Sequence, residues 1–189
     1  MASKRTILDS TDEQLMQQVA DGDLDAFGEL VERHQQTAWR VALRLLGDPA
    51  EAEDAAQQAF LKIFEAAPRY RPTAAFRTYL YQVITRHCLD RLEKKKPIYT
   101  DSPPVIEDHT PGPAKDLEIK ERRQVIHRAL EELPERQRTA VVLFHFEELS
   151  YKEIADSMEI SPKAVERLLG RGRLALACIL SGAPTLKEI

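Results

Sequence analysis

The stretch from Pro97 to Lys115 constrains this chain more than any other. It holds five prolines (Pro97, Pro103, Pro104, Pro111 and Pro113) and no long apolar period. Proline has no amide hydrogen to donate, and its ring clashes with the preceding helical turn, so no continuous helix runs through such a segment. Three acids (Asp101, Glu107, Asp108) stand against one base (Lys115). The stretch reads as a semi-extended acidic linker. It splits the chain into an N-terminal unit at 11–96, a linker at 97–115 and a C-terminal unit at 116–180.

On both sides of the linker, apolar residues recur at helical spacing. Strand-like alternation is rare, and the whole chain has only 7 glycines. The expected fold class is therefore all-α, with two small helical domains. The periodicity predicts helices at about 11–21, 24–46, 49–67, 75–95, 116–132, 135–147, 150–158 and 161–180. Several boundaries carry chemical punctuation. Thr11 with Glu13 and Gln14 suits a capped first turn, and Asp48-Pro49 reads as an N-cap followed by proline at the first helical position. Pro134 and Pro162 suit the same role further on, and Ser150 with Glu153 makes a capping box.

Some functions are excluded early. No run of eighteen apolar residues is present, and the first residues hold no apolar stretch of signal-peptide length. A cytoplasmic protein with no membrane insertion of its own is expected. The two cysteines, Cys88 and Cys178, are far apart and form no Cys-x-x-Cys pair. They read as small packing residues. No metal-ligand cluster, Gly-rich phosphate loop or nucleophile with its base is visible. An enzyme is not expected, nor a cofactor or metal.

The net charge of -4 argues against nucleic-acid binding over the whole surface, so charge is read by segment. In the C-terminal unit, Ile154, Ala155 and Met158 share one face of a short helix. A tight turn follows at Glu159 to Ser161, and Val165, Leu168 and Leu169 then point inward from a second helix. This is helix-turn-helix spacing, with Ala155 small where the helices cross. Many such turns carry Gly where this chain has Glu159. If the backbone there is left-handed, Glu costs on the order of 1 kcal/mol. The second helix carries Lys163, Arg167, Arg171 and Arg173 against Glu166 alone. Its first turns suit the major groove and its later arginines suit phosphates. The plain alternative is a helical hairpin with a solvated charged face.

In the N-terminal unit, Ala55, Ala59, Phe60 and Ile63 form an inward stripe on the helix after Asp48. Glu51, Asp54, Gln57 and Gln58 form its polar face. Taken alone, those acids read as partners of the helix dipole. Further on, Tyr70, Phe76, Tyr79 and Tyr81 are interleaved with Arg69, Arg71 and Arg77. The helix ends with Arg86, Arg91, Lys94, Lys95 and Lys96 against Asp90 and Glu93. Aromatics beside arginines suit unstacked single-stranded bases. Part of the set, Phe76 with Leu80, belongs to the core, and lysines near a helix end also serve the dipole.

In order and spacing, these pieces resemble the extracytoplasmic-function sigma factors, the small two-domain sigma factors of bacterial RNA polymerase. The resemblance spans roughly residues 11–180. It rests on Asp25-Ala-Phe-Gly-Glu-Leu-Val, Asp48-Pro-Ala-Glu-Ala-Glu-Asp-Ala-Ala-Gln-Gln-Ala-Phe and Phe76-Arg-Thr-Tyr-Leu-Tyr in the first half. In the second it rests on Leu133-Pro-Glu-Arg-Gln-Arg, Leu149-Ser-Tyr-Lys-Glu-Ile-Ala and Ile160-Ser-Pro-Lys-Ala-Val-Glu. It implies that the N-terminal unit docks on core RNA polymerase at the clamp helices through Glu51, Asp54, Gln57 and Gln58. The same unit would recognise and open the −10 element through Arg69, Tyr70, Arg71, Arg77, Tyr79, Arg86, Arg91 and Lys94.

The C-terminal helix-turn-helix would meet the polymerase flap. It would read the −35 element through Ser161, Lys163, Ala164, Glu166, Arg167, Arg171 and Arg173. The linker would run toward the RNA exit path, its acids imitating nucleic acid. An anti-sigma factor is the implied inhibitor. The family usually carries Trp where this chain has Tyr79, Asn where it has Arg86, Glu where it has Gln58, and Ser-Arg where it has Arg167-Leu168. These departures leave the class intact and bear on which promoter is read. Two other classes fit the residues alone. One is a helix-turn-helix regulator with an N-terminal dimerisation or sensing domain, and the other is an anti-sigma-like scaffold.

Overall fold

The computed structural model describes residues 10–95 and 125–181, and these are helical without strands. The expected linker at 97–115 and the start of the helix expected at 116–132 lie outside the described residues. The elements are α1 (Asp12–Ala20), α2 (Leu24–Leu46), α3 (Pro49–Ala66), a 3-10 turn (Ala67–Arg69) and α4 (Phe76–Lys95). Then come α5 (125–131), α6 (Glu135–His145), α7 (Tyr151–Met158) and α8 (Pro162–Leu180).

Local chemistry sets most of the boundaries. The Thr11 hydroxyl accepts from the Gln14 amide while the Gln14 side chain accepts from the Thr11 amide. Ser150 and Glu153 make the same reciprocal pair at α7. Each box satisfies two amides that the first helical turn leaves without partners. With Ser150 N–H and O–H both donating to it, the Glu153 carboxyl sits below its usual range. Asp48 caps α3 with Pro49 at the first helical position, and Ser161 caps α8 with Pro162 there. Pro134 differs from the expectation. It occupies the N-cap position of α6 itself and offers no side-chain cap.

In the N-terminal half, α1 to α4 enclose a core in which Leu15, Met16, Leu30, Ile63, Phe76 and Leu80 are fully buried. In the C-terminal half, α6 to α8 bury Leu143, Ile154, Val165 and Leu169. Gly172 lets α8 lie close to α6, because a Cβ there would come within 2.8 Å of a Val141 methyl. Glu159 ends α7 at φ 53, so the turn is left-handed at the position where many such turns carry Gly, and the strain that follows from that condition applies.

The halves are not separate. One apolar cluster runs through Val41, Leu45, Ala52, Tyr81, Ile84 and Cys88 into Leu130, Leu133, Val142 and Ile154. α4 packs on α7 and α6, and α2 packs on α6. Much of the joint is helix capping. Gly47 ends α2 at φ 84, and the last carbonyls of α2 find donors in the other half. Arg138 donates to the Leu45 carbonyl at 2.6 Å and to the Glu131 carbonyl at 2.6 Å. The His127 ring lies 3.3 Å from the Leu43 carbonyl. A cation at a helix C-terminus is favoured both by the unpaired carbonyls and by the dipole.

Candidate nucleic-acid interface

The helix-turn-helix is α7, the Glu159–Ser161 turn and α8. Val165 and Leu169 of α8 are buried, and Leu168 is half-buried, as the spacing predicts. The opposite face is open. Ser161, Lys163, Glu166, Arg167, Arg171 and Arg173 are all exposed, and Ala164 is half-buried at the first turn. Arg173 also lies over the Phe144 ring, 5.0 Å from its centroid. A helix with a buried apolar stripe and four exposed cations on the rest of its surface has the shape and charge for a DNA groove.

The second basic helix, α4, is held differently. Glu13 of α1 accepts the Phe76 amide at 2.9 Å, and this bond holds the Glu13 carboxyl below its usual range. The first turn of α4 is thereby pinned to α1. Arg69 and Arg71 are exposed in the preceding loop. The Tyr70 and Tyr79 rings meet with centroids 5.2 Å apart, and Tyr79 leans on Phe76 at 6.4 Å. Burial raises both phenols above their ordinary pKa. Tyr70, Phe76 and Tyr79 thus form a continuous aromatic wall beside an arginine-bearing loop.

The other faces of α4 are engaged. Tyr81 is fully buried, and its hydroxyl donates to the Glu147 carboxylate at 2.6 Å. Burial first, and that hydrogen bond second, push the Tyr81 phenol well above its ordinary value. Arg77 donates to the Tyr81 hydroxyl at 2.8 Å and to the Glu147 carbonyl at 2.8 Å. Arg86 lies 3.7 Å from the Glu159 carboxylate. Arg91 is ion-paired with Asp54 and lies 3.7 Å from Glu51. Two of the residues expected to dock polymerase therefore touch one expected to face DNA. Gln57, Gln58 and Lys94 are exposed.

The sequence reading missed Arg44, Arg138 and Glu147. Glu147 is an acid beside Phe146 at the end of an apolar helix, a weak signal by itself. Its burial, 5% exposed, became visible only once α4 was in place. Cys88 behaves as a core residue, with burial pushing its thiol up to about 12, and Cys178 is half-buried. Among the described residues no group of His, Cys, Asp and Glu is placed to hold a metal ion. No helix there is long and apolar enough to cross a membrane.

Comparison with known proteins places this geometry. Residues 30–98 match the model of Sigma-70 region 2, and residues 123–176 match that of Sigma-70, region 4. The chain is 33% identical to the RNA polymerase sigma-H factor of Pseudomonas aeruginosa over 188 residues, covering 94% of this chain and 96% of that one. It is 31% identical to the ECF RNA polymerase sigma factor SigW of Bacillus subtilis, covering 85% of this chain and 92% of that one. The structure of CnrH in complex with the cytosolic domain of CnrY superposes with a TM-score of 0.68 at 27% identity, covering 93% of this chain and 100% of that one. The sigma factor RpoE of Bartonella quintana, solved with the anti-sigma factor NepR, shares the fold with a TM-score of 0.65 at 16% identity, covering 82% of this chain and 96% of that one. Two helical regions of the sigma-70 type, in this order, define a bacterial RNA polymerase sigma factor. The chain belongs to the small two-domain branch of that class, the extracytoplasmic-function sigma factors.

Proposed function

We propose that this sigma factor brings core RNA polymerase to its promoters by dividing recognition between two helices of unlike setting. The observation that carries the proposal is the open basic face of α8 behind a buried helix-turn-helix core, set against the aromatic wall at the start of α4. Residues 11–96 form the docking and −10 unit, 97–115 the connecting segment and 116–180 the −35 unit. Glu51, Asp54, Gln57 and Gln58 meet the polymerase clamp helices. Arg69, Tyr70, Arg71 and Tyr79 hold unpaired bases of the −10 element. Arg77, Arg86, Arg91 and Lys94 track its backbone. Ser161, Lys163, Ala164, Glu166 and Arg167 face the −35 groove, and Arg171 and Arg173 grip phosphates.

No bond is made or broken by this chain, so the protein is not an enzyme. Unpairing energy is offset by stacking captured bases on the tyrosines, worth about 1–3 kcal/mol per base. Polymerase and flap contacts hold the two units at promoter spacing. The protein works in the cytoplasm, and an anti-sigma factor restrains it, as CnrY and NepR bind the two related folds. Run-off transcription with sigma-free core polymerase tests the reading. Promoter-directed transcripts are expected, and their absence overturns it in favour of a conventional regulator.

A further inference from the structure

Helices α3 and α4 pack through a seam of small and apolar side chains. Ala52, Ala55 and Ala59 of α3 are fully buried there, as are Ile84 and Cys88 of α4. Alanines bring the two backbones close, so a long side chain at the rim of one helix can span to the other. Arg91, one turn beyond Cys88, does so. It is ion-paired with Asp54, and its guanidinium lies 3.7 Å from the Glu51 carboxylate. One guanidinium thus bridges two acids that are three residues apart on one face of α3.

Without a cation between them, two like charges one turn apart on a helix repel. Carboxylate side chains that face water also keep several rotamers. The neighbouring groups on the seam are otherwise employed. Lys62 of α3 lies 2.9 Å from His87 Nδ1 of α4. Burial first, then Lys62 and Arg91, hold the His87 ring below its ordinary pKa, so it adds no charge at neutral pH.

The ion pairs are too open to serve mainly the fold. Side-chain exposure is 30% for Arg91, 49% for Asp54 and 23% for Glu51, and pairs in contact with water contribute little to stability. The same openness leaves the acids reachable. What the pairs do is fix two acceptors on the helix that also carries exposed Gln57 and Gln58. A partner that meets acceptors already in place loses less side-chain freedom on binding.

We propose that Arg91 is a positioning residue for polymerase docking, one that holds Glu51 and Asp54 from across the α3–α4 seam in the arrangement the clamp helices meet. The inference rests on the sigma-factor reading and adds a role to it, since Arg91 acts on the docking face whether or not DNA is present. A guanidinium has five N–H donors, so others remain for the −10 backbone.

The test is binding of the labelled full chain to sigma-free core polymerase without DNA, read by anisotropy. Circular dichroism verifies the fold of each variant. Arg91→Ala is expected to weaken binding about 10-fold. Arg91→Lys, which keeps the charge but gives up the planar fork, falls between. Lys62→Ala removes one cation from α3 itself and binds like the unaltered chain. In a chain already carrying Glu51→Gln and Asp54→Asn, adding Arg91→Ala costs nothing further, whereas a merely structural arginine would cost the same again.

Equal or tighter binding by Arg91→Ala, full recovery with lysine, or an equal loss in Lys62→Ala overturns the assignment. So does a further loss in the chain without the two acids. Any of these, with normal binding by the unaltered chain, leaves the sigma reading standing. No binding by the unaltered chain removes that reading and the assignment with it.

Discussion

Helices α4 and α8 are both basic and both proposed to read DNA, yet the fold treats them oppositely. α4 runs through the middle of the molecule, against α2, α3, α6 and α7. Phe76, Leu80, Tyr81, Ile84 and Cys88 are buried on more than one of its sides. α8 lies at the edge and buries a single stripe of Val165, Leu169 and Gly172. The lesson is that charge pattern alone does not say whether a reading face is available. On α8 the side chains proposed to meet DNA and those that fold the helix into place are different residues. On α4 Arg77 and Tyr81 take part in a joint between the halves, so folding and the proposed reading draw on the same stretch of helix.

The largest effect that tests this contrast is Tyr81→Ala. Removing a fully buried aromatic ring from α4 is expected to cost about 3–5 kcal/mol, seen as a lower urea midpoint for the whole chain. A loss confined to the N-terminal half would break the claim that α4 serves both. Next is Arg138→Ala, which strips donors from the carbonyls of Leu45 and Glu131. A loss of about 2–3 kcal/mol is expected, with the C-terminal end of α2 losing amide-exchange protection; unchanged exchange there would mean that α2 does not need its cap from the other half.

Arg171→Ala on α8 gives the opposite signature. Stability stays within about 0.5 kcal/mol, duplex binding weakens for every sequence, and the slope of log affinity against log salt falls by about 1. A change in sequence preference alone would make Arg171 a base reader. Smallest is Glu159→Gly. Relief of the left-handed turn outweighs an exposed ion pair, so the melting temperature rises, with a gain of about 0.5–1 kcal/mol. A drop would show that the Gln82 and Arg86 contacts are worth more than their exposure suggests.

Helix boundaries were legible where the deciding bonds span three or four residues. Thr11 with Gln14, Asp48 with Glu51, Ser150 with Glu153 and Ser161 with Ala164 all close locally, and each cap stands where the residue types place it. The inward stripes of α3, α7 and α8 were legible for the same reason, since one turn of helix sets which residues share a face. The exposed face of α8 followed directly. Pro134 went one position astray because proline is tolerated both at and just before the first helical residue.

What the sequence by itself determined is therefore the helices of the described residues, the helix-turn-helix and the chemical character of the two surfaces proposed to read DNA. Only the tertiary structure decided that Arg44 meets Glu147 across 103 residues, that Arg138 caps α2, and that Arg91 leans on Glu51 and Asp54. Such contacts have no period and no local signature. Their partners are chosen by how whole helices stack, and a buried carboxylate such as Glu147 is stable only when every helix around it has arrived with its donors.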